Sequence, residues 1–364
     1  MSQAARRAVP AIMRRMSATR AIIPPAAVLR AFELADGSLE RAQSGLINAT
    51  WYARSRRGDA RVLQRVNPIF PAEVNLDIAA VTDHLARKDL VTPRLVPTSD
   101  GALWLEHDGV WRVLTRVEGV CRDALESVPQ ARAAGRLIAE FHRAVSDLEH
   151  TFSSRRPGVH DTPRHLRTLR EALAENRGHR HYDAVARLAE RVLEAAAALT
   201  PLPSSPERIV HGDPKISNLV FAPDLGRAIC LIDLDTLSRM PVALELGDAL
   251  RSWCNPATED AASARFVRPF FDAAIAGYAE AAQGLLEAGE WSAIPRGTLT
   301  ISIELAARFC TDALRESYFG WNAARYESAS AHNQARVHGQ LLLAAGIRAE
   351  LAALEDATAA AFAA

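Results

Sequence analysis

From about residue 119 onward the chain reads as one apolar-periodic helix after another, and only between Arg208 and Asp235 do short strands break that pattern. Ile209 and Val210 form an apolar entry, and Leu219-Val220-Phe221 an exit. Pro223-Asp224-Leu225-Gly226 has turn composition, and Ala228 to Ile232 return antiparallel. Between entry and exit stand His211-Gly212-Asp213-Pro214-Lys215-Ile216-Ser217-Asn218, and the return strand ends in Asp233 and Asp235. A hairpin of this length delivers Asp233 beside Asn218.

Those residue types suit one chemistry. Asp213 precedes Asn218 by five residues, the offset at which a phosphotransfer loop places its base and a metal ligand. Magnesium prefers oxygen ligands and keeps several waters, so Asn218, Asp233 and nucleotide phosphates suffice to hold it. Asp213 is left to orient and deprotonate an acceptor hydroxyl, and Lys215 supplies positive charge near the transferred phosphoryl group. His211 is expected to pack under the loop and bond a backbone carbonyl. Asp235 is either a second metal contact or a strand-end turn residue. Asp248 reads as a helix-start or loop-bracing carboxylate, and Arg251 either braces it or points into the acceptor pocket.

Upstream, residues 26 to 36 read as a short helix ending at Gly37. Strands follow over 45–52 and 60–66, an amphipathic helix over 73–87, and a second hairpin over 101–107 and 110–117. The chain is therefore α+β: a small antiparallel-sheet lobe over 25–118, and a larger, mainly helical lobe over 119–356 with a cleft between them. Helices are expected over 129–148, 182–199, 270–286 and most of the last 60 residues. The first 32 residues hold six arginines and no acid, as transit peptides also do. Met13 and Met16 offer later starts, so 1–24 reads as a disordered or extended tail outside the fold.

Lys plus Arg and Asp plus Glu both number 43, so no whole-molecule field draws the chain to nucleic acid or an anionic membrane. No apolar run reaches the roughly 20 residues that a bilayer span needs. Cys121, Cys230, Cys254 and Cys310 are far apart without C-x-x-C spacing, as in a cytoplasmic protein with reduced thiols.

H-G-D-P-K-I-S-N, I-D-L-D-T at 232–236 and G-D-A-L-R at 247–251 together resemble the aminoglycoside phosphotransferase and choline kinase superfamily, which has a protein-kinase-like fold. V-L-Q-R-V-N at 62–67, V-H-D-T-P-R at 159–164, and R-F-C-T-D, S-Y-F and H-N-Q-A-R between 308 and 336 are most similar to N-acetylhexosamine 1-kinases within it. The resemblance runs from about Gly45 to Leu343. It implies ATP and Mg²⁺, with adenine held by backbone of the linker Arg116-Val117-Glu118-Gly119. In place of the strand lysine of protein kinases the chain has Leu63-Gln64-Arg65, and Arg65 is expected to take its role, with Glu73 or Asp77 as helix partner. Gly45 is the lone glycine of the nucleotide-covering loop. The hexosamine 1-kinase pattern usually has Asn where Gly212 stands.

For the acceptor, His160, Asp161, Thr162 and Arg164 form a polar cluster beside Pro157 and Pro163. It suits sugar hydroxyls, and equally a helix start with Asp161 or Thr162 as N-cap. Tyr318, Phe319 and Trp321 are core aromatics or a pocket wall, with Phe319 assigned to the core. The expected activity is ATP-dependent phosphorylation of a small metabolite, with the anomeric hydroxyl of an N-acetylhexosamine as acceptor. An aminoglycoside, choline or another amino alcohol is the alternative acceptor, and a nucleotide-binding pseudokinase the alternative class.

Overall fold

A computed structural model describes residues 23–42, 47–154 and 159–364. The arginine-rich start, Gly45 and Pro157 lie outside them. Helix α1 (Ala26–Ala31) leads to β1 (Glu40–Arg41), β2 (Ala49–Arg54) and β3 (Ala60–Val66). Helix α2 (Val74–Arg87) then precedes β4 (Leu95–Val96), β5 (Leu105–Glu106) and β6 (Val110–Thr115). The strands form one antiparallel sheet in the order β1-β2-β3-β6-β4, with β5 also on β6. The first expected helix is shorter than its periodicity suggested, because Leu34 leaves it to bridge Ser55.

Because strand side chains alternate, the sheet has two unlike faces. Leu63, Trp51, Trp111 and Val113 pack with Val28, Phe32 and Leu34 in an outer core. The opposite face carries Gln64 and Arg112 toward α2 and the helical region, where they bond to one another and to groups there.

Beyond the linker come α3 (Val128–Ala144), α4 (Thr162–Glu175), α5 (Tyr182–Ala197), α6 (Val242–Trp253), α7 (Arg268–Ala281), α8 (Ala288–Trp291), α9 (Ile294–Arg315) and α10 (Ala329–Ala363). Helix α9 is the axis of this region. It is buried on nearly every side, packs on α10, α6, α4 and α5, and approaches α6 so closely that a Cβ at Gly247 would lie 2.7 Å from Gly297 backbone. Among the described residues no helix is long and apolar enough to cross a membrane.

The interruption comprises β7 (Glu207–Val210), β8 (Leu219–Phe221), β9 (Ala228–Leu231) and β10 (Ser238–Pro241). Strands β8 and β9 form the expected hairpin, and β10, whose sequence carried no strand signal, pairs with β7. Linker and hairpin are joined directly: Val120 N–H donates to Phe221 O at 2.8 Å and Phe221 N–H to Val120 O at 2.9 Å.

Candidate active site

The loop from His211 to Asn218 is held at almost every backbone group. Fully buried Glu245, on α6, accepts the N–H groups of His211 and Gly212 at 2.9 and 3.0 Å. Thr236 Oγ1 donates to His211 O at 2.9 Å, and Trp253 Nε1 donates to Pro214 O at 2.8 Å. Ser252 Oγ accepts Ile216 N–H at 3.2 Å. His211 is fully buried and bonds Ile232 O through Nε2 at 2.9 Å, as expected of a bracing residue. Its Nδ1 then accepts Asp213 N–H at 3.3 Å.

On this frame Asp213, Lys215, Asn218 and Asp233 come together. Lys215 Nζ lies 2.5 Å from Asp213 Oδ2. Asn218 Nδ2 donates to Asp213 O at 2.8 Å and to Asp213 Oδ2 at 3.2 Å. Both amide hydrogens being engaged, Asn218 Oδ1, which has no partner among the described residues, can face another ligand. Ile232 N–H donates to Asn218 O at 2.9 Å, continuing the hairpin so that Asp233 follows at its mouth. Burial opposes the Lys215 charge, but Asp213, Asp233 and Asp248 outweigh it and raise the ammonium's pKa.

Asp233 has left-handed backbone, φ 65° and ψ 56°, a conformation Asp tolerates better than most residues. Among the described residues its carboxylate has no hydrogen-bond or ion-pair partner. Burial pushes its pKa up, and Asp235 adds to the effect. A desolvated carboxylate with no bonded partner among the described residues, at the end of the return strand of the hairpin that Asn218 opens, and the Asn218 amide oxygen are donors of the kind that suits a hard divalent ion. No group of three His, Cys, Asp or Glu side chains forms a metal cluster among the described residues, so a metal held by Asn218 and Asp233 would draw its other ligands from a bound anion and water.

At the linker, Gly119 lies against the hairpin: a Cβ there would be 2.4 Å from Val220 Cγ1 and 2.5 Å from Phe221 O. The Arg116 guanidinium stacks 4.2 Å from the Tyr52 ring centroid. Val117 and Glu118 make no backbone hydrogen bond among the described residues outside the sheet ladder, so their N–H and C=O groups are open to a flat heterocycle.

Arg65 is not brought to the site. Lying opposite Trp111 on the outer pleat, it bonds Asp108 O, approaches the Asp108 carboxylate at 3.5 Å and lies 5.9 Å from the Trp111 ring centroid. One position along the strand reverses the face, so Gln64, not Arg65, looks inward. Nor does Asp77 pair with a strand cation: it accepts Ser153 N–H, Ser154 N–H and His150 Nε2, each at 2.8 Å. Asp235 sits in the 3-10 turn Leu234–Thr236 that follows the return strand, so of the two sequence readings the strand-end turn holds. It is buried in an ion pair with Arg112 of β6, Nη1 to Oδ1 at 2.5 Å and Nη2 to Oδ2 at 2.8 Å.

Around α9, His160 Nδ1 bonds Glu304 Oε1 at 2.9 Å and Thr162 Oγ1 donates to Glu304 Oε2 at 2.6 Å. Burial works against protonating His160, but Glu304 outweighs it and the pKa is raised. Asp161 is the N-cap of α4 and accepts Arg164 N–H at 2.9 Å, with Pro163 in the first turn. Arg251 is a brace: it bonds Asp248 Oδ1 through Nη2 at 2.8 Å and Glu259 Oε1 through Nη1 at 3.0 Å, with a side chain only 6% exposed. Tyr318 is half exposed and packs edge-on against Phe319, which joins the core around Phe309. Trp321 is 42% exposed, away from any core.

Glu245, Arg112, Asn48 and Glu304 were not singled out by sequence. Three of them carried a signal, a lone charge inside an apolar run: Trp-Arg-Val-Leu at 111–114, Leu-Glu-Leu at 244–246 and Ile-Glu-Leu at 303–305.

Comparison with known proteins bears on the fold and the family. In fold the chain is similar to the amicoumacin kinase hAmiN in complex with AMP-PNP, Ca²⁺ and Ami (TM-score 0.59, 13% identity, 91% of each chain covered). It is similar also to the microcompartment-associated aminopropanol kinase (0.59, 17%, 90% of this chain and 97% of that one). A third is an aminoglycoside phosphotransferase from Alicyclobacillus acidocaldarius (0.54, 17%, 93% and 99%). Residues 38–283 match the model of the phosphotransferase enzyme family, a span that holds the sheet, the linker and the whole of the loop and hairpin, and the chain therefore belongs to that family.

Proposed function

We propose that the protein transfers the γ-phosphate of ATP, with Mg²⁺, to a hydroxyl of a small metabolite, and that Asp213 is the group that receives the acceptor's proton. The observation carrying this reading is the division of labour within one carboxylate. Oδ2 is bound by Lys215 and Asn218, whereas Oδ1 has no partner among the described residues and is open to an incoming hydroxyl. Asn218 and Asp233 would hold the metal, which supplies charge neutralisation on the phosphates when bound. Lys215 adds a fixed positive charge beside the reacting centre. The backbone of Val117, Glu118 and Gly119 takes the adenine.

The acceptor we assign is the anomeric hydroxyl of an N-acetylhexosamine. Its support is that segments resembling N-acetylhexosamine 1-kinases, far apart in sequence, converge on α9. His160 and Thr162 meet Glu304, while Asp312 receives the N–H groups of Ser317, Tyr318 and Phe319 together with Asn333 Nδ2. An anomeric hydroxyl is more acidic than an ordinary alcohol, so an orienting, weakly basic Asp213 is sufficient. An amino alcohol is the second acceptor class, favoured by the name of the aminopropanol kinase that shares the fold.

ATP consumption against N-acetylhexosamines, hexoses, aminoglycosides, choline and aminopropanol, with phosphorus NMR of the product, separates these readings. An anomeric phosphate on an amino sugar is expected, and turnover confined to amino alcohols would exclude the sugar. Asp213→Asn should lower kcat by about 1000-fold or more, within the range of general-base and positioning effects, while calorimetric binding of Mg·AMP-PNP stays within about threefold of wild type. Equal turnover by the variant would remove Asp213 from the chemistry.

A further inference from the structure

The buried pair Arg112–Asp235 joins the sheet to the segment that bears Asp233, and its surroundings are polar on every side. Besides its two bonds to Arg112, Asp235 Oδ2 accepts Asn48 Nδ2 at 2.6 Å. Arg112 also donates to Gln64 Oε1 through Nε at 2.9 Å and Nη2 at 2.7 Å, and through Nη1 to Asn75 Oδ1 at 3.3 Å. Asn48 Oδ1 in turn accepts Asn67 N–H at 2.8 Å. One carboxylate thus ties together β6, β3, α2 and the residues that enter β2. The side chains of the pair are 2% and 1% exposed, so neither charge is a surface ornament.

A buried ion pair is a poor source of stability, because desolvation offsets most of its attraction, whereas its geometry is demanding. Asp235 lies two residues beyond Asp233, within the short 3-10 turn Leu234–Thr236. The same turn supplies Thr236 Oγ1 to His211 O, so it touches the catalytic loop as well. We infer that Arg112, Asn48 and Asp235 form a positioning network that sets the turn, and thereby the metal-binding carboxylate of Asp233, against the sheet region. Arg112 is a positioning residue here and not a ligand of the nucleotide, since every direction around its guanidinium is taken by protein acceptors. In this chain the coupling runs from β6 to the residue two beyond the metal carboxylate, and β3 contributes only the neutral Gln64. The inference rests on the phosphotransfer reading of Asp233.

The test uses the double variant Arg112→Met/Asp235→Leu, which keeps the volume apolar and leaves no orphan charge, together with Arg112→Met, Arg112→Lys and Asn48→Ala. Calorimetry of AMP-PNP is run over a series of Mg²⁺ concentrations, with hydrogen exchange measured on the protein free of nucleotide and metal. The double variant is expected to fold, to need at least tenfold more Mg²⁺ for half-maximal nucleotide binding, and to exchange faster at 232–237. Arg112→Lys should recover part of the loss. Asn48→Ala, which leaves the ion pair in place, should shift the Mg²⁺ requirement about threefold, and it carries the test if the double variant does not fold.

Unchanged Mg²⁺ dependence and unchanged exchange in a folded double variant, or in Asn48→Ala, would overturn the inference. So would a loss of nucleotide binding in Arg112→Met of equal size with and without Mg²⁺, which marks a direct phosphate contact. Wild-type protein that binds no Mg·AMP-PNP would instead overturn the phosphotransfer reading itself, and the inference with it.

Discussion

Gly212 has φ +84°, and a Cβ on it would lie 2.2 Å from Thr236 O, a backbone atom that cannot swing aside. The position is therefore closed to any side chain, including the Asn usual in N-acetylhexosamine 1-kinases. Gly212→Ala should push the loop off the Leu234–Thr236 turn, destabilising the protein by about 1–3 kcal/mol and cutting kcat by about 100-fold or more, equivalent to roughly 2.7 kcal/mol. Urea denaturation and steady-state rates check both, and an Ala variant of wild-type activity would show that loop and turn can separate. At this scale the placement of the loop residues was legible: Asp213, Lys215, Asn218 and Asp233 do gather, and His211 does brace. Arg65 was not, because the strand pattern V-L-Q-R-V leaves the choice of inward residue to the face against which the sheet packs.

Among the elements, α6 does most to hold the site. Glu245, Ser252 and Trp253 on this one helix bond the backbone at residues 211, 212, 214 and 216. Glu245→Gln presents an amide donor where one N–H must be received, leaving a buried donor unpaired at a cost of about 1–3 kcal/mol. Its kcat should fall by about 10- to 100-fold with KM for ATP changed less than about threefold, because the groups Glu245 bonds lie in the loop and not in the linker proposed to take the adenine. A matched rise in KM alone would place Glu245 outside the loop's support. Most elements were legible from periodicity, among them α2, α3, α5, α7 and the β8–β9 hairpin. Strand β10 was not, since Ser238-Arg239-Met240-Pro241 has neither alternation nor β propensity and becomes a strand only by pairing with β7.

For the whole molecule, the site lies where the sheet region, the loop-hairpin and the α9 bundle meet, and charge buried at those joints makes stability depend on pH. The folded pKa of His160 is raised by Glu304 above its unfolded value of about 6.5. Its contribution is therefore fully present below about pH 6.5 and is lost as pH rises through the folded value. The difference in urea midpoint between wild type and His160→Gln should shrink as pH rises from about 6.5 upward, whereas a constant difference would mean that the pair contributes only packing. His165, whose pKa burial lowers, also faces Glu304 Oε1 at 3.9 Å, so His165→Gln and the double variant complete the cycle that isolates the His160 contribution. By itself the sequence determined the order and type of most elements, the loop that bears Asp213 and the hairpin that returns Asp233, because backbone pattern and residue spacing are local properties. Only the tertiary structure decided which cation faces inward, that Asp235 pairs with Arg112 and that Glu245 holds the loop, because partners 123 and 34 residues apart are chosen by packing between elements and not by anything local to either residue.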